Sequence, residues 1–446
     1  MKLKKLLLFG IAVMAITSIS RGQASWGTQI GHTCYDLHTN SAVRNGLFTN
    51  PDGTMAAVWI QNHTCTTPQP DNNDRGIGYN YYDGASWVYG INGECPAPIL
   101  HGCASEYVGW PNIVWSDSMD EIVITHTPLK INRRSTQGSG AWSTTAQLPF
   151  SPYPWGGNVW PRAVADGNYI HIICSSSGGV SPNGVTGPAV YYRSSDGGIT
   201  WDIINFLVPG MDDTTVIGGI GADSYAIDAR NGTVAFTAGG FGEDWLMWKS
   251  TANGDSGTWV RTEIAPFDTT GKLFNGPGSY VLWTFDDAHA VTIDNNGMVH
   301  ASTGQIVLDV DDLGEPTGSF FPLADDGLYY WNENMSAPFI VAGLVDLPNW
   351  ITGDPPDGDP SSGIGNDFPV YFTGITSTSQ VSVDQNNNPY IVYAGMVEWT
   401  SNTGDTSGQT FRDLFLVYSN DGGNTWNTPI NIAGHPLLGN ADDGST

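Results

Sequence analysis

Positive charge is scarce in this chain: 16 Lys and Arg stand against 44 Asp and Glu, a formal net charge of −28 over 446 residues. So acidic a surface repels a phosphate backbone, which argues against general nucleic-acid binding and favours cations, neutral ligands or a salty extracellular setting. Charge of either sign is low, at 13% of residues. With 17 Trp, 18 Tyr and 16 Phe the chain is too aromatic for disorder, and 56 Gly with 27 Pro are too many for a helix bundle. Past residue 24, no apolar run approaches the ~18 residues that a membrane-spanning helix needs. The sequence also lacks GxxxxGKS/T, HExxH and GxSxG, so phosphate-loop, zincin and nucleophile-elbow chemistries have no signature here.

Cysteines are few: Cys34, Cys65, Cys95, Cys103 and Cys174. Their spacing fits neither CxxC nor a zinc site, and an odd number leaves one unpaired within the chain. Residues 1–24 read as a secretory signal. Lys2, Lys4 and Lys5 form the positive end, Leu6 to Ile16 an apolar run too short to span a bilayer, and Gly22-Gln23-Ala24 a small-residue cleavage site. In an exported chain Cys95 with Cys103, and Cys34 with Cys65, are candidate disulfides, and Cys174 is expected as a buried thiol.

Two short patterns recur in fixed order. One is a turn and strand: Asp52-Gly53, Asp166-Gly167, Asn231-Gly232, Asn296-Gly297 and Asn387-Asn388 each precede an apolar stretch, with a looser copy from Asp117 to Thr125. Asx-Gly between such stretches marks a hairpin, because both residues tolerate positive φ. The other is a turn that ends in Trp. Its full copies run Ser194-Ser195-Asp196-Gly197-Gly198-Ile199-Thr200-Trp201 and Ser419-Asn420-Asp421-Gly422-Gly423-Asn424-Thr425-Trp426, and weaker ones end at Trp87, Trp142, Trp259 and Trp331. In three of the six units the same 34 residues separate the hairpin turn from the Trp. No apolar stripe of helical period appears in the mature chain. Short strands in a repeated unit predict an all-β β-propeller, read as six four-stranded blades over residues 25–446, with a truncated seven-bladed ring as the alternative. The units fall at about 42–90, 110–145, 156–205, 222–262, 285–335 and 376–433. Residues 27–36 read as one further strand, a candidate clasp for the ring.

The pattern Ser-x-Asp-x-Gly-x-Thr-Trp, matched at every fixed position by residues 194–201 and 419–426, resembles the Asp box of the sialidase-like β-propellers, secreted bacterial members included. The resemblance covers about residues 42 to 433. It implies that Ser194, Asp196, Gly198 and Trp201, with Ser419, Asp421, Gly423 and Trp426, form structural turns between third and fourth strands, the Trp packing into the blade. It also implies a place for chemistry. Members with exo-α-sialidase activity clamp a substrate carboxylate with three Arg and use an Asp acid/base with a Tyr nucleophile assisted by Glu. Their first blade opens on Phe/Tyr-Arg-Ile-Pro, which aligns here with Ala42-Val43-Arg44-Asn45 and puts Val43 in the Arg slot. The acid falls in the loop 64–75, where Asp71 and Asp74 are the candidates.

Arg162, in Trp160-Pro161-Arg162, is the best-placed arginine for a central mouth, with Arg44 and Arg412 next. Trp110, Trp155, Trp160 and Trp350 sit beside Gly or Pro in expected loops, where an indole stacks on a sugar ring. The expected partner is therefore an extracellular glycan or glycoprotein, met by a monomer that is secreted or held at the cell surface. Hydrolysis of the sialidase type and a non-catalytic scaffold for protein partners are the other two readings. No cofactor or metal motif is present; the acidic loops 309–312 and 354–359 could supply oxygen ligands to Ca²⁺ but lack calcium-loop spacing.

Overall fold

The computed structural model describes residues 28–31, 33, 35, 38–62, 75–89, 108–117, 120–126, 128–143, 146–149, 157–177, 180–212, 216, 220–320, 326–345, 373–396 and 412–433. Segment 1–24, Cys34, Cys65, Cys95, Cys103, Asp71, Asp74, Trp155, Trp350 and loop 354–359 lie outside these described residues.

Among them the strands form six antiparallel sheets in chain order. The first holds β1 (Leu47–Thr49), β2 (Met55–Asn62) and β3 (Arg75–Tyr82). The second holds β4 (Gly109–Trp115), β5 (Glu121–His126), β6 (Lys130–Arg134) and β7 (Ala146–Gln147). The third is β8 (Gly157–Asp166), β9 (Tyr169–Ser177), β10 (Ala189–Ser194) and β11 (Ile203–Phe206). The fourth is β12 (Tyr225–Arg230), β13 (Thr233–Ala238), β14 (Trp245–Ser250) and β15 (Val260–Ala265). In the fifth, β16 (Leu273–Gly276) pairs with β17 (Ser279–Phe285), which in turn pairs along the far half of a long strand. Its near half belongs to the meander of β18 (Ala290–Ile293), β19 (Val299–Val310), β21 (Leu328–Asn332) and β22 (Phe339–Ala342), while β20 (Pro316–Phe320) returns onto β19. The sixth is β23 (Thr376–Val383), β24 (Pro389–Met396), β25 (Arg412–Tyr418) and β26 (Ile430–Asn431). Among the described residues the only helical element is the 3₁₀ turn Thr269–Gly271, and no helix is long and apolar enough to cross a membrane.

The sheets stand around an axis as a β-propeller. Val43, Asn45, Arg162, Ala226, Val291 and Gln380, which come from five of the six sheets or their approaches, converge on one void of about 30 Å³. Each of the five boundaries between consecutive sheets encloses its own apolar core. Val58, Ile77 and Tyr79 pack on Ile113 and Val123 between the first and second. Ile122 and Ile124 meet Ile170 and Ile172 between the second and third. Tyr191 meets Ile227 and Phe236, Met247 meets Val291, and Tyr330 meets Tyr393 and Phe415 at the next three boundaries. A sheet covered on both faces needs no polar side, which explains continuous apolar runs such as Ile122 to Ile124 where a half-exposed strand would alternate. Cys174 is indeed a buried free thiol. Among the described residues no such core joins the sixth sheet to the first; a cleft lies there instead.

The expected hairpin residues take left-handed backbone: Gly53, Gly167, Asn231, Gly232, Gly297 and Asn387 all have φ between 52° and 86°. The Trp turns close as the residue types require. Asp196 Oδ1 accepts from the amides of Ile199 and Thr200 at 3.0 and 2.8 Å and from Ser194 Oγ at 2.9 Å, while Thr200 Oγ1 donates to Oδ2 at 2.6 Å. Asp421 repeats this set, and the hydroxyl of Ser419, followed by the amide and hydroxyl of Thr425, draws its carboxyl down to about 2. Gly423 is obligatory, since φ is +97° and a Cβ would lie 2.5 Å from Tyr330 Oη. Asp196→Ala is expected to lower stability by about 1–2 kcal/mol, through loss of four acceptor contacts at a partly exposed site. An unchanged urea midpoint would mean that the turn closes without its carboxylate.

Two expectations need correction. Three of the Trp side chains reach beyond their own blade: Trp142, Trp259 and Trp426 lie 5.5, 4.9 and 4.7 Å from Tyr79, Tyr191 and Tyr330 of the preceding sheet. Trp87 and Trp201 instead meet tyrosines of their own sheets, Tyr82 at 5.6 Å and, edge-on, Tyr192 at 6.2 Å. Such a Trp ties adjacent blades together, a relation no single unit contains. Nor is the segment before β1 a clasp strand among its described residues. It lies along the first sheet, where Asn80 Nδ2 donates to Ile30 O at 2.7 Å and the amide of Asn62 to Thr33 Oγ1 at 3.2 Å.

Candidate functional site

Polar and aromatic groups gather where the axial strands begin. Trp110 and Trp160 were expected in loops; both lie inside strands, β4 and β8, at register breaks between Gly109 and Asn112 and between Val159 and Arg162. The cause is the Pro that follows each, which has no N–H for the ladder. At φ of 47° and 52° both Trp residues are held in a conformation that costs a bulky side chain about 1–3 kcal/mol.

Neighbours hold them there. Asn112 Nδ2 donates to Trp110 O and Pro161 O at 3.2 and 2.8 Å, and Tyr225 Oη donates to Trp160 O at 2.6 Å. The Trp160 amide donates to His126 Nδ1 at 3.1 Å. From these bulges a row of rings and cations extends. The Arg75 guanidinium lies 5.3 Å from the Tyr35 ring and 5.4 Å from that of Trp110; Trp110 meets His126 at 4.9 Å, and His126 meets Trp160 at 6.1 Å. Burial, with Arg75 and Arg162 adding, pushes His126 down to about 3, so its ring is neutral at physiological pH.

Asp223, just before β12 and itself at φ 66°, binds this row to the axis. Its Oδ2 accepts from Trp110 Nε1 at 2.8 Å, from the Asn40 amide at 2.8 Å and from Thr39 Oγ1 at 3.3 Å, and lies 3.3 Å from Arg162 Nη2. Arg162 also donates to Thr39 Oγ1, Ala42 O and Pro161 O. Residues 39–42 therefore lie across the axial end. Arg162 and Asp223 are 2% and 0% exposed and neutralise each other, and the void beside them is water-sized. A sugar ring does not fit there. A second carboxylate, Asp287, is buried near this end, and burial raises it to about 7, Asp286 adding while the Phe241 amide and the Ser224 hydroxyl oppose.

Between the first and sixth sheets opens a cleft of about 900 Å³. Leu47, Ala57 and Trp59 form one wall, Ala394 and Leu414 the other, and Arg44, Arg412 and His38 are its charged or titratable lining. Arg44 Nε and Nη1 are spent on the carbonyls of His38, Val58 and Pro111, at 3.2, 3.1 and 2.9 Å. Burial, with Arg162 adding, lowers it to about 9 against the pull of Asp223.

Of the arginine and tryptophan candidates, the structure thus gathers Arg162, Trp110 and Trp160 at the axial end, and Arg44 and Arg412 in the cleft. Asp223, Arg75, His126 and Tyr35 were missed. The repeated Trp-Pro dipeptide was a usable signal for the bulges; nothing local marks Asp223. In the acidic loop 309–312, Asp309 accepts from Ser279 and Thr317 hydroxyls and Asp311 from the Leu313 and Glu315 amides, so both carboxylates serve their own turns.

No protein-family model and no curated protein matches the sequence. Solved structures similar in general plan include a protein of unknown function from Dyadobacter fermentans (10% identity, TM-score 0.39, 81% of this chain and 95% of that one). A Penicillium chrysogenum alpha-L-arabinanase complexed with arabinobiose is similar at 14% identity and TM-score 0.37, over 72% and 80% of the two chains. A Trypanosoma rangeli sialidase in complex with the inhibitor DANA is similar at 13% and 0.40, over 84% of this chain; the match spans about half, 55%, of that enzyme. At these values nothing about chemistry passes from those proteins to this chain.

Proposed function

We propose that this chain is an exported, six-bladed Asp-box propeller of the sialidase-like kind that binds extracellular glycans at its axial end. The observation that carries the reading is the continuous row Tyr35, Arg75, Trp110, His126 and Trp160, which ends beside the Arg162–Asp223 pair. Trp160 is half-buried, so part of its surface is open to a ligand, and strained aromatic positions held by a dense network are a usual mark of a binding site. Export rests on residues 1–24, and the box assignment on the two turns matched at every fixed position.

Binding without hydrolysis is the form this reading takes. An axial glycosidase needs a deep pocket with two carboxyl groups converging on one ligand, and here Arg162 and Asp223 occupy each other. A scaffold role has one observation in its favour: on the added strands β16 and β17, Leu273 and Trp283 expose 52% and 41% of their surface on a common face.

A glycan array paired with a fluorogenic sialoside assay on the mature chain tests the proposal. Selective glycan binding without turnover is expected, and Trp160→Ala is expected to weaken it about tenfold. Turnover abolished by Asp71→Asn would establish the hydrolase instead, and silence in both assays the scaffold.

A further inference from the structure

The cleft between the first and sixth sheets carries a charge pattern unlike the rest of the molecule. In a chain with 44 acidic residues, its described lining holds Arg44, Arg412 and His38 and no Asp or Glu. Arg412, on β25, is 8% exposed. Its Nη2 donates to Gly374 O at 2.7 Å, but Nη1 has no partner among the described residues. The nearest countercharge is Asp286, whose oxygens are already taken by the amides of Ala288, Gly304 and Gly374 and the hydroxyls of Thr303 and Ser377. A guanidinium buried without an ion-pair partner is costly, and burial accordingly lowers Arg412 to about 10. Nη1 itself is enclosed by protein, so an anionic oxygen meets this guanidinium on the side that lines the cleft, and there it would relieve that cost.

The remaining walls say what the anion is attached to. Leu47 and Leu414 face the opening with 56% and 49% of their surface exposed, and Ala57, Trp59 and Ala394 continue the apolar surface inward. Hydroxyls buried against such walls would lose their hydrogen bonds, so a sugar is a poor fit and a hydrocarbon a good one. At about 900 Å³ the cleft lies in the size range of small-ligand sites.

We propose that this cleft binds an amphipathic monoanion, an alkyl or aryl body lying between Leu47 and Leu414 with its single anionic head on Arg412. The cleft shares Val43, Asn45 and Gln380 with the axial void, but no residue of the row from Tyr35 to Trp160 is in its described lining, so it stands or falls independently of the glycan reading. Isothermal titration of the full mature chain with decanoate and, in parallel, with decanol tests it. Decanoate binds at one site, about ten- to a hundredfold more tightly than decanol, the range expected of a charged hydrogen bond. Arg412→Met brings decanoate to the level of decanol and leaves decanol unchanged. Leu414→Glu, at a half-exposed position outside the apolar cores between the sheets, abolishes both, and so keeps the test decisive should the Arg412 variant fail to fold. Equal binding of the two probes, no binding of either, or decanoate binding that survives Leu414→Glu overturns the proposal.

Discussion

Asp223→Ala is expected to lower the free energy of unfolding by about 3–5 kcal/mol. The substitution removes the acceptor shared by Trp110 Nε1, the Asn40 amide and Thr39 Oγ1, and leaves Arg162 buried without its counter-ion. It also puts alanine at a φ of 66°, which adds a smaller cost. Asp223→Asn separates these contributions. Asparagine tolerates the left-handed backbone and retains an acceptor oxygen, so what remains of the loss is the missing charge beside Arg162. Urea unfolding with an unchanged m-value measures both. If the two variants fall within about 0.5 kcal/mol of wild type, the range of ordinary surface substitutions, residues 39–42 are not held by this carboxylate.

The second large effect has the opposite sign. Asp287→Asn is expected to stabilise the protein at pH 8 by about 2–4 kcal/mol. Burial raises the folded carboxyl from 3.8 to about 7. Below about pH 4 folded and unfolded chains both carry the proton, and the contribution to stability is whole. From there to about pH 7 the unfolded chain releases its proton while the folded chain keeps it, and stability drains at up to about 1.4 kcal/mol per pH unit. Above pH 7 the loss is complete. Asparagine carries no charge at any of these values and still accepts from the Phe241 amide, so its advantage grows from pH 4 to 7 and then levels off. His38, His126 and His171, each pushed down to about 3 chiefly by burial, work against wild-type stability in the other direction as pH falls through 6.5. They are common to both proteins and cancel in the difference. Equal urea midpoints for variant and wild type at pH 8 would show that Asp287 is ionised in the fold at little cost.

Legibility in the sequence followed the range of the interaction. Asp196 and Asp421 bond to amides three and four residues onward, so their turns could be read from eight consecutive letters. The Trp that closes each turn was legible as a marker but not as a contact, because Trp426 meets Tyr330 one sheet earlier. Trp110 and Trp160 were misplaced into loops, since their neighbouring Gly and Pro suggest irregular backbone and only the strand pairing shows a bulge.

Local chemistry by itself determined that this is an all-β chain of repeated turn-and-strand units, because hairpin turns and apolar runs are decided by residues a few positions apart. Tertiary structure alone decided which charges meet. Arg162 is neutralised by an aspartate of the next sheet, and Arg44 and Arg412 share one cleft from opposite ends of the chain. Electrostatic partnership depends on distance in space and on burial, and a ring brings the first and last sheets side by side without leaving any trace in the order of the residues.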